Sequence, residues 1–320
     1  MKKFACIALT MIMLFFFLFE PEQALTASQN GLMLWFNQLL PTLLPFTVLS
    51  YVILRSNLFA KMSAGQTKEF AICPITPPEW YVIFCGFLFG FPIGSKLTGD
   101  LYQQKYLSRE KAELLFLFTN NLSPVFVTSV FCNQLCRRPT IITYLLLYGI
   151  PLGYGIFRIL NQNLRQKKRS AIDGTSSSFP SSGEQKNAAS RFDLNMQIID
   201  AGIINGFETL IKICGYVMLF SLAAEIIQGF ILPETIKTLL IGLTEVTNGM
   251  SALSQYTGSN ELRYLLAMLF LSWGGISGLF QTASIVSHTD LSMKKYLATR
   301  LLLVLVTILT AGLLLCFGID

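Results

Sequence analysis

Charge is scarce in this 320-residue chain: Asp, Glu, Lys and Arg make up 13% of it, where a soluble domain carries roughly 25%. With 52% of the residues hydrophobic, too little polar surface remains to cover a globule, and a soluble fold is excluded. Histidine is almost absent. His288 stands alone, so a multi-histidine metal site is ruled out and a histidine-bearing catalytic triad would hang on one residue. The seven cysteines (Cys6, Cys73, Cys85, Cys132, Cys136, Cys214, Cys316) are scattered, mostly within apolar segments, with no CxxC. They read as small buried hydrophobes. GxxxxGK, GxSxG and HExxH patterns are missing as well. No metal or cofactor is implied, and no enzyme is expected, because no nucleophile with a base partner can be named.

What the chain does have is a series of apolar runs and a mean hydropathy of +0.55. Its net charge is +6, and half of that excess falls between Asn161 and Gln197, which hold six basic and three acidic residues. Positive charges that flank apolar runs mark cytoplasmic loops of membrane proteins, so the partner is a lipid bilayer and not nucleic acid. The spacing divides the chain into an N-terminal apolar helix or signal anchor (1–30), a first membrane half (31–160), a polar disordered linker (161–197) and a second membrane half (198–320). Lys2 and Lys3 ahead of Phe4 to Phe19 fit a secretory signal, but another span follows directly, and an uncleaved helix is the favoured reading.

Several runs are interrupted. Gly31 to Leu54 carries Pro41 and Pro45, each of which removes a backbone donor. Trp80 to Ile93 is too short to span and runs into Gly90-Phe91-Pro92-Ile93-Gly94, which implies a hairpin or broken helix turning at membrane depth. Thr119-Asn120-Asn121-Leu122-Ser123-Pro124 interrupts a third run, Thr244-Glu245-Val246-Thr247-Asn248-Gly249 a fourth, and Trp273-Gly274-Gly275 a fifth. A shift of 184 positions lays Gly90 on Gly274, Gly94 on Gly278, Ser108 on Ser292 and Lys111 on Lys295. The expected fold is all-α and polytopic, with two repeated halves that contain broken or re-entrant helices. Pro92 to Ser95 and Gly274 to Gly278 are expected as non-helical turns facing each other across a pseudo-twofold axis.

Free N–H and C=O groups at such breaks can hold a polar solute without placing a full charge in lipid. The candidate site residues are Pro92, Gly94, Asn120, Asn121, Ser123, Glu245, Asn248, Gly274 and Gly275. Carboxamides donate and accept at once, and an intramembrane Glu245 suits a coupling cation or a hydroxyl. Asn120, Asn121, Glu245 and Asn248 are expected to converge on one cavity for an uncharged or weakly charged small solute. The competing readings are that the glycines only permit close helix packing and that the asparagines only satisfy carbonyls freed by the proline. Lys96 and Asp100, four apart, read as a structural ion pair.

The motifs Leu40-Pro41-Thr42-Leu43-Leu44-Pro45-Phe46, Gly90-Phe91-Pro92-Ile93-Gly94-Ser95-Lys96, Thr119-Asn120-Asn121-Leu122-Ser123-Pro124 and Glu245-Val246-Thr247-Asn248-Gly249, with Leu271 to Ser277, resemble the YlbJ-type sporulation integral membrane proteins of the nucleoside-recognition, or Gate, domain family. The chain departs from that pattern at Phe89, where a small polar residue is expected, and at Ser129, where glycine is common. The resemblance implies a multi-pass protein of the cell membrane, in the forespore or mother cell, that binds or moves a small polar solute such as a nucleoside. Its partners would be a second copy or other sporulation membrane proteins. A non-transporting scaffold or sensor of spore envelope assembly, docking through the linker, is the rival reading.

Overall fold

A computed structural model describes residues 2–56, 75–135, 139–172 and 195–318, and these are helical with no strand. We number the helices α1 (Lys2–Phe19), α2 (Pro21–Arg55), α3 (Pro77–Leu88), α4 (Ile93–Gln103), α5 (Arg109–Phe118), α6 (Pro124–Gln134), α7 (141–172), α8 (Met196–Gln228), α9 (Glu234–Thr244), α10 (Val246–Gln255), α11 (Asn260–Trp273), α12 (Gly275–Ile285) and α13 (Met293–Cys316). Among the described residues, five stretches are long and apolar enough to cross a membrane: α2, α8, α13, the α11–α12 pair and residues Ile141–Gln162 of α7.

Local chemistry sets the helix starts. Ser108, Ser123, Ser259 and Ser292 each accept a hydrogen bond from the third residue beyond them. Thr76 and Glu79 form a reciprocal capping box ahead of Pro77 and Pro78, which satisfies first-turn donors that have no partner inside the helix. Two helices contain a π turn, Trp35–Leu39 in α2 and Leu145–Gly149 in α7. In each case a proline stands two residues further on, Pro41 and Pro151. A proline ring collides with the carbonyl four residues back, and a wider turn moves that carbonyl aside.

Two helix pairs are hairpins. A Cβ on Gly86 of α3 would lie 3.2 Å from the Gly94 Cα of α4, so these helices fold back on each other around Phe89 to Pro92. In the second hairpin the backbones of Gly242 in α9 and Gly249 in α10 press together around Glu245. Only glycine permits such contact.

The α3–α4 hairpin opens toward one end of the molecule. That end also holds the α12–α13 connection, where Gln103 Nε2 donates to the His288 carbonyl at 3.3 Å, and the α7 terminus, where Gln162 Nε2 reaches Glu110 at 3.2 Å. The α9–α10 hairpin opens toward the other end, where Thr257 donates to Glu234. Ion pairs lace the first end: Lys111–Glu79 at 3.1 Å, Lys295–Glu113 at 2.8 Å and Arg109–Asp290 at 2.9 Å.

Burial divides by depth and not by sequence half. One apolar cluster joins Leu97, Leu101 and Phe116 to Leu291 and Tyr296, and a second joins Val127 and Phe131 to Met250 and Phe270. The outer surface is apolar, with Leu18, Phe157, Ile211 and Leu313 all exposed. That pattern suits lipid, where every backbone group must be satisfied internally.

Several expectations change. Ile93 to Ser95 open α4 and Gly275 to Gly278 open α12, so the non-helical segments shrink to Phe89–Pro92 and to Gly274. The 184-residue shift pairs unlike elements: Gly90 sits at a hairpin tip, whereas Gly274 interrupts a spanning helix. What it does match is the pair of helix starts at Ser108 and Ser292. The first part of the polar stretch, 161–172, continues α7 as helix, and the rest of it to residue 194 lies outside the described residues. Lys96 and Asp100 pair at 3.5 Å as expected.

Candidate functional site

Each hairpin tip docks on an interrupted span. Gly90 takes the left-handed conformation at φ 76°, and a Cβ there would lie 2.9 Å from the Asn121 carbonyl. The Phe91 amide donates to that same carbonyl at 2.5 Å, and Gly94 abuts the Thr119 carbonyl. In the second half Gly274 and Gly275 have φ of 80° and 77°. A Cβ on Gly275 would lie 3.1 Å from both the Thr244 carbonyl and the Val246 amide. The halves also meet each other, since a Cβ on Gly278 would sit 3.2 Å from the Phe91 ring.

Carbonyls released by the breaks are answered by side chains, as burial requires. Tyr148 Oη, carried on the π turn of α7, donates to Leu122 O at 2.9 Å. Asn121 Nδ2 donates to Phe118 O at 2.7 Å, and Trp273 Nε1 to Leu243 O at 3.0 Å. Arg300 of α13 is 5% exposed. Its Nε donates to Trp273 O at 3.3 Å and its Nη1 to Asn121 Oδ1 at 2.9 Å. It forms no ion pair among the described residues, so the negative end of α11 and an amide oxygen together hold this buried cation. Asn120 Nδ2 bridges Thr282 Oγ1 and Tyr296 Oη, both at 2.9 Å. The two asparagines therefore bolt the first half to α12 and α13.

Glu245 is buried and caps α10. Its Oε2 accepts from the Asn248 amide at 2.7 Å and from Asn248 Nδ2 at 3.0 Å. Asn248 Nδ2 also reaches Ser221 Oγ of α8 at 3.0 Å. Ser123 accepts from the Phe126 amide at 3.2 Å.

Between these breaks and α2 lies a cavity of about 220 Å³, roughly the volume of seven waters at ~30 Å³ each. The π turn of α2 contributes Asn37 and Gln38, α6 contributes Ser123 and Ser129, the second hairpin contributes Glu245 and Thr247, and α12 contributes Ser277 and Gln281. Phe89, Phe91 and Phe126 supply aromatic walls. Phe89 and Ser129, the two departures from the family pattern, thus both face the cavity.

Of the residues expected at a site, Ser123, Glu245 and Gly274 line this cavity, while Pro92, Gly94, Asn120, Asn121, Asn248 and Gly275 do not. The expected convergence of all four polar side chains is corrected accordingly. Asn120, Asn121 and Asn248 spend their amide nitrogens on protein partners, because the break they occupy, or the cap they support, claims them first. Sequence reasoning missed Gln38, Gln281 and Arg300. Arg300 did carry a signal, being the last cation of the chain, at the head of the apolar run that closes it. Among the described residues no cluster of three His, Cys, Asp or Glu suited to a metal ion occurs.

No family model matches the chain, and no solved structure matches it. It is similar to the Sporulation integral membrane protein YlbJ of Bacillus subtilis (strain 168), with 26% identity over 330 residues that cover 92% of this chain and 79% of that protein. Likeness along nearly the whole chain to an integral membrane protein, together with five apolar helices of spanning length among the described residues, makes this a multi-pass membrane protein.

Proposed function

We propose that this is a permease-like protein of sporulation whose halves form an inverted repeat around a site for a small polar solute. The order of elements supports the repeat. A span (α2), a hairpin (α3–α4), a broken span (α5–α6) and a span (α7) are followed by a span (α8), a hairpin (α9–α10), a broken span (α11–α12) and a span (α13). The hairpins open at opposite ends. In this reading Gly90 to Pro92 is equivalent to Glu245, and Thr119 to Ser123 to Gly274. Paired interrupted segments of this kind bracket mid-membrane sites in transporters.

The single observation that carries the reading is the cavity of about 220 Å³ where both breaks meet α2, with a mostly apolar wall into which Gln38, Ser123, Glu245, Thr247 and Gln281 are set. Glu245, with its Oε2 committed to the α10 cap, is the group suited to a solute hydroxyl or a coupling cation. The test is uptake by proteoliposomes across nucleosides, bases and spore metabolites, for the wild type and for Glu245→Gln. Glutamine keeps an oxygen for the α10 cap. Loss of one buried contact, about 1 to 3 kcal/mol, lowers apparent affinity about 5- to 150-fold. Absence of uptake for every solute, with normal spore heat resistance from Glu245→Gln, would instead favour the scaffold.

A further inference from the structure

Two side chains on the cavity wall carry polar atoms that the protein leaves without partners. Gln281 is 3% exposed. Its Nε2 donates to Ser277 Oγ at 2.9 Å, and its Oε1 is buried with no hydrogen-bond partner. Gln38 Oε1 is likewise buried and unpaired. The two residues belong to unrelated elements: Gln281 lies in the second turn of α12, and Gln38 lies in the π turn of α2, yet both line the same space. An unsatisfied buried amide oxygen costs about 1 to 3 kcal/mol. Five other buried side-chain polar atoms among the described residues also lack partners, Asn120 Oδ1 and Asn205 Oδ1 included, but only Gln38 and Gln281 of these residues line this cavity.

We infer that Gln38 and Gln281 are the specificity-determining pair of the cavity, each hydrogen-bonding a bound solute from a different helix. The inference rests on the proposed solute site and adds α2, which lies outside both hairpin units, as part of it. The solute class is a compact molecule, small enough for about 220 Å³, that carries hydrogen-bonding groups on two edges and a flat or apolar middle. The edges meet the carboxamides, and the middle meets Phe89, Phe91 and Phe126. The π turn has a specific part in this. It follows from Pro41, and it alters the direction in which residues 35–39 leave the helix, so that Asn37 and Gln38 both face the cavity.

The test has two arms. In proteoliposomes given the same solute panel, Gln38→Leu and Gln281→Leu should each raise the half-saturation concentration about 5- to 150-fold. The maximal rate and the detergent melting temperature should stay near those of the wild type. Uptake with unchanged half-saturation in both variants would overturn the inference and leave the permease reading standing. The second arm needs no transport. Gln281→Cys, in a chain whose exposed Cys132 and Cys316 are replaced by serine, is treated with methyl methanethiosulfonate and followed by mass spectrometry. Modification that a panel solute slows at least about 5-fold supports the inference even if no solute is moved. Absence of modification, or of protection by any solute, overturns it.

Discussion

Replacing Arg300 by methionine tests whether the junction between the halves is held as described. The substitution keeps most of the apolar stem and removes the guanidinium, leaving Asn121 Oδ1 and Trp273 O without their donors at 2.9 and 3.3 Å. Each orphaned buried acceptor costs about 1 to 3 kcal/mol in proteins generally. Interhelical hydrogen bonds in membranes average ~0.6 and reach ~1.7 kcal/mol, because the membrane-embedded unfolded chain finds other partners. The lower range should govern the pair at depth, giving a total loss of about 1 to 4 kcal/mol. A double-mutant cycle isolates the contact. Arg300→Met, Asn121→Leu and the double variant are unfolded by SDS in mixed micelles, and the coupling energy for this one bond should be about 0.6 to 1.7 kcal/mol. A coupling below ~0.3 kcal/mol, with both single variants stable, would refute the claim that this bond joins the halves.

Gly94→Ala places a methyl group against the Thr119 carbonyl, and overpacking of that kind costs about 1 to 3 kcal/mol. Gly153→Ala, where nothing lies within 4 Å, should be neutral or gain up to ~1 kcal/mol. Melting temperatures that do not separate the two would contradict the hairpin packing. Lys105, Arg109, Lys111, Lys294 and Lys295 gather at the end where α7 terminates, which assigns that end to the cytoplasm. An impermeant thiol reagent should then label Gln255→Cys but not Ser287→Cys in intact cells, and the reverse pattern inverts the topology. Glu234 accepts from the Thr257 hydroxyl at 2.6 Å and its amide at 2.9 Å, which hold its carboxyl below its ordinary value of 4.5. A depressed carboxyl pKa stabilises above the ordinary value, and that stability is lost as pH falls through the folded value. Glu234→Gln should therefore flatten the acid side of the stability profile, and parallel profiles would show that the contact does not matter.

Interruptions were legible in the residues, whereas their pairing was not. Pro92, Pro124 and the Gly274-Gly275 pair coincide with breaks, and the polar Glu245 marks another, whereas Pro41, Pro45 and Pro151 lie within continuous helices that widen to a π turn instead. Whether a break becomes a hairpin tip or a kink in a crossing depends on the next contact. Gly86 against Gly94 folds α3 back on α4, and no such pair exists across Gly274. The same distinction explains why the 184-residue shift aligned helix starts and mismatched the elements before them. Asn120 and Asn121 were conspicuous as polar residues in an apolar run, but a carboxamide answers the nearest free carbonyl or hydroxyl first. Here those were Phe118 O and Thr282 Oγ1. Gln38 was hidden by its own segment, because only the π turn forced by Pro41 sets which way it points.

The interrupted crossing α11–α12 also divides the electrical thickness of the membrane. Fourteen residues precede Gly274 and eleven follow it, about 21 and 16 Å of helix at ~1.5 Å per residue. A species resting beside Gly274 has thus crossed about half of any applied potential. Full transfer of one elementary charge is worth about 2.3 kcal/mol per 100 mV, so reaching the cavity is worth about 1.2 kcal/mol. The voltage dependence of occupancy therefore reads the charge of the occupant before its identity is known: a neutral solute gives none, and each unit of charge gives about an eightfold change per 100 mV.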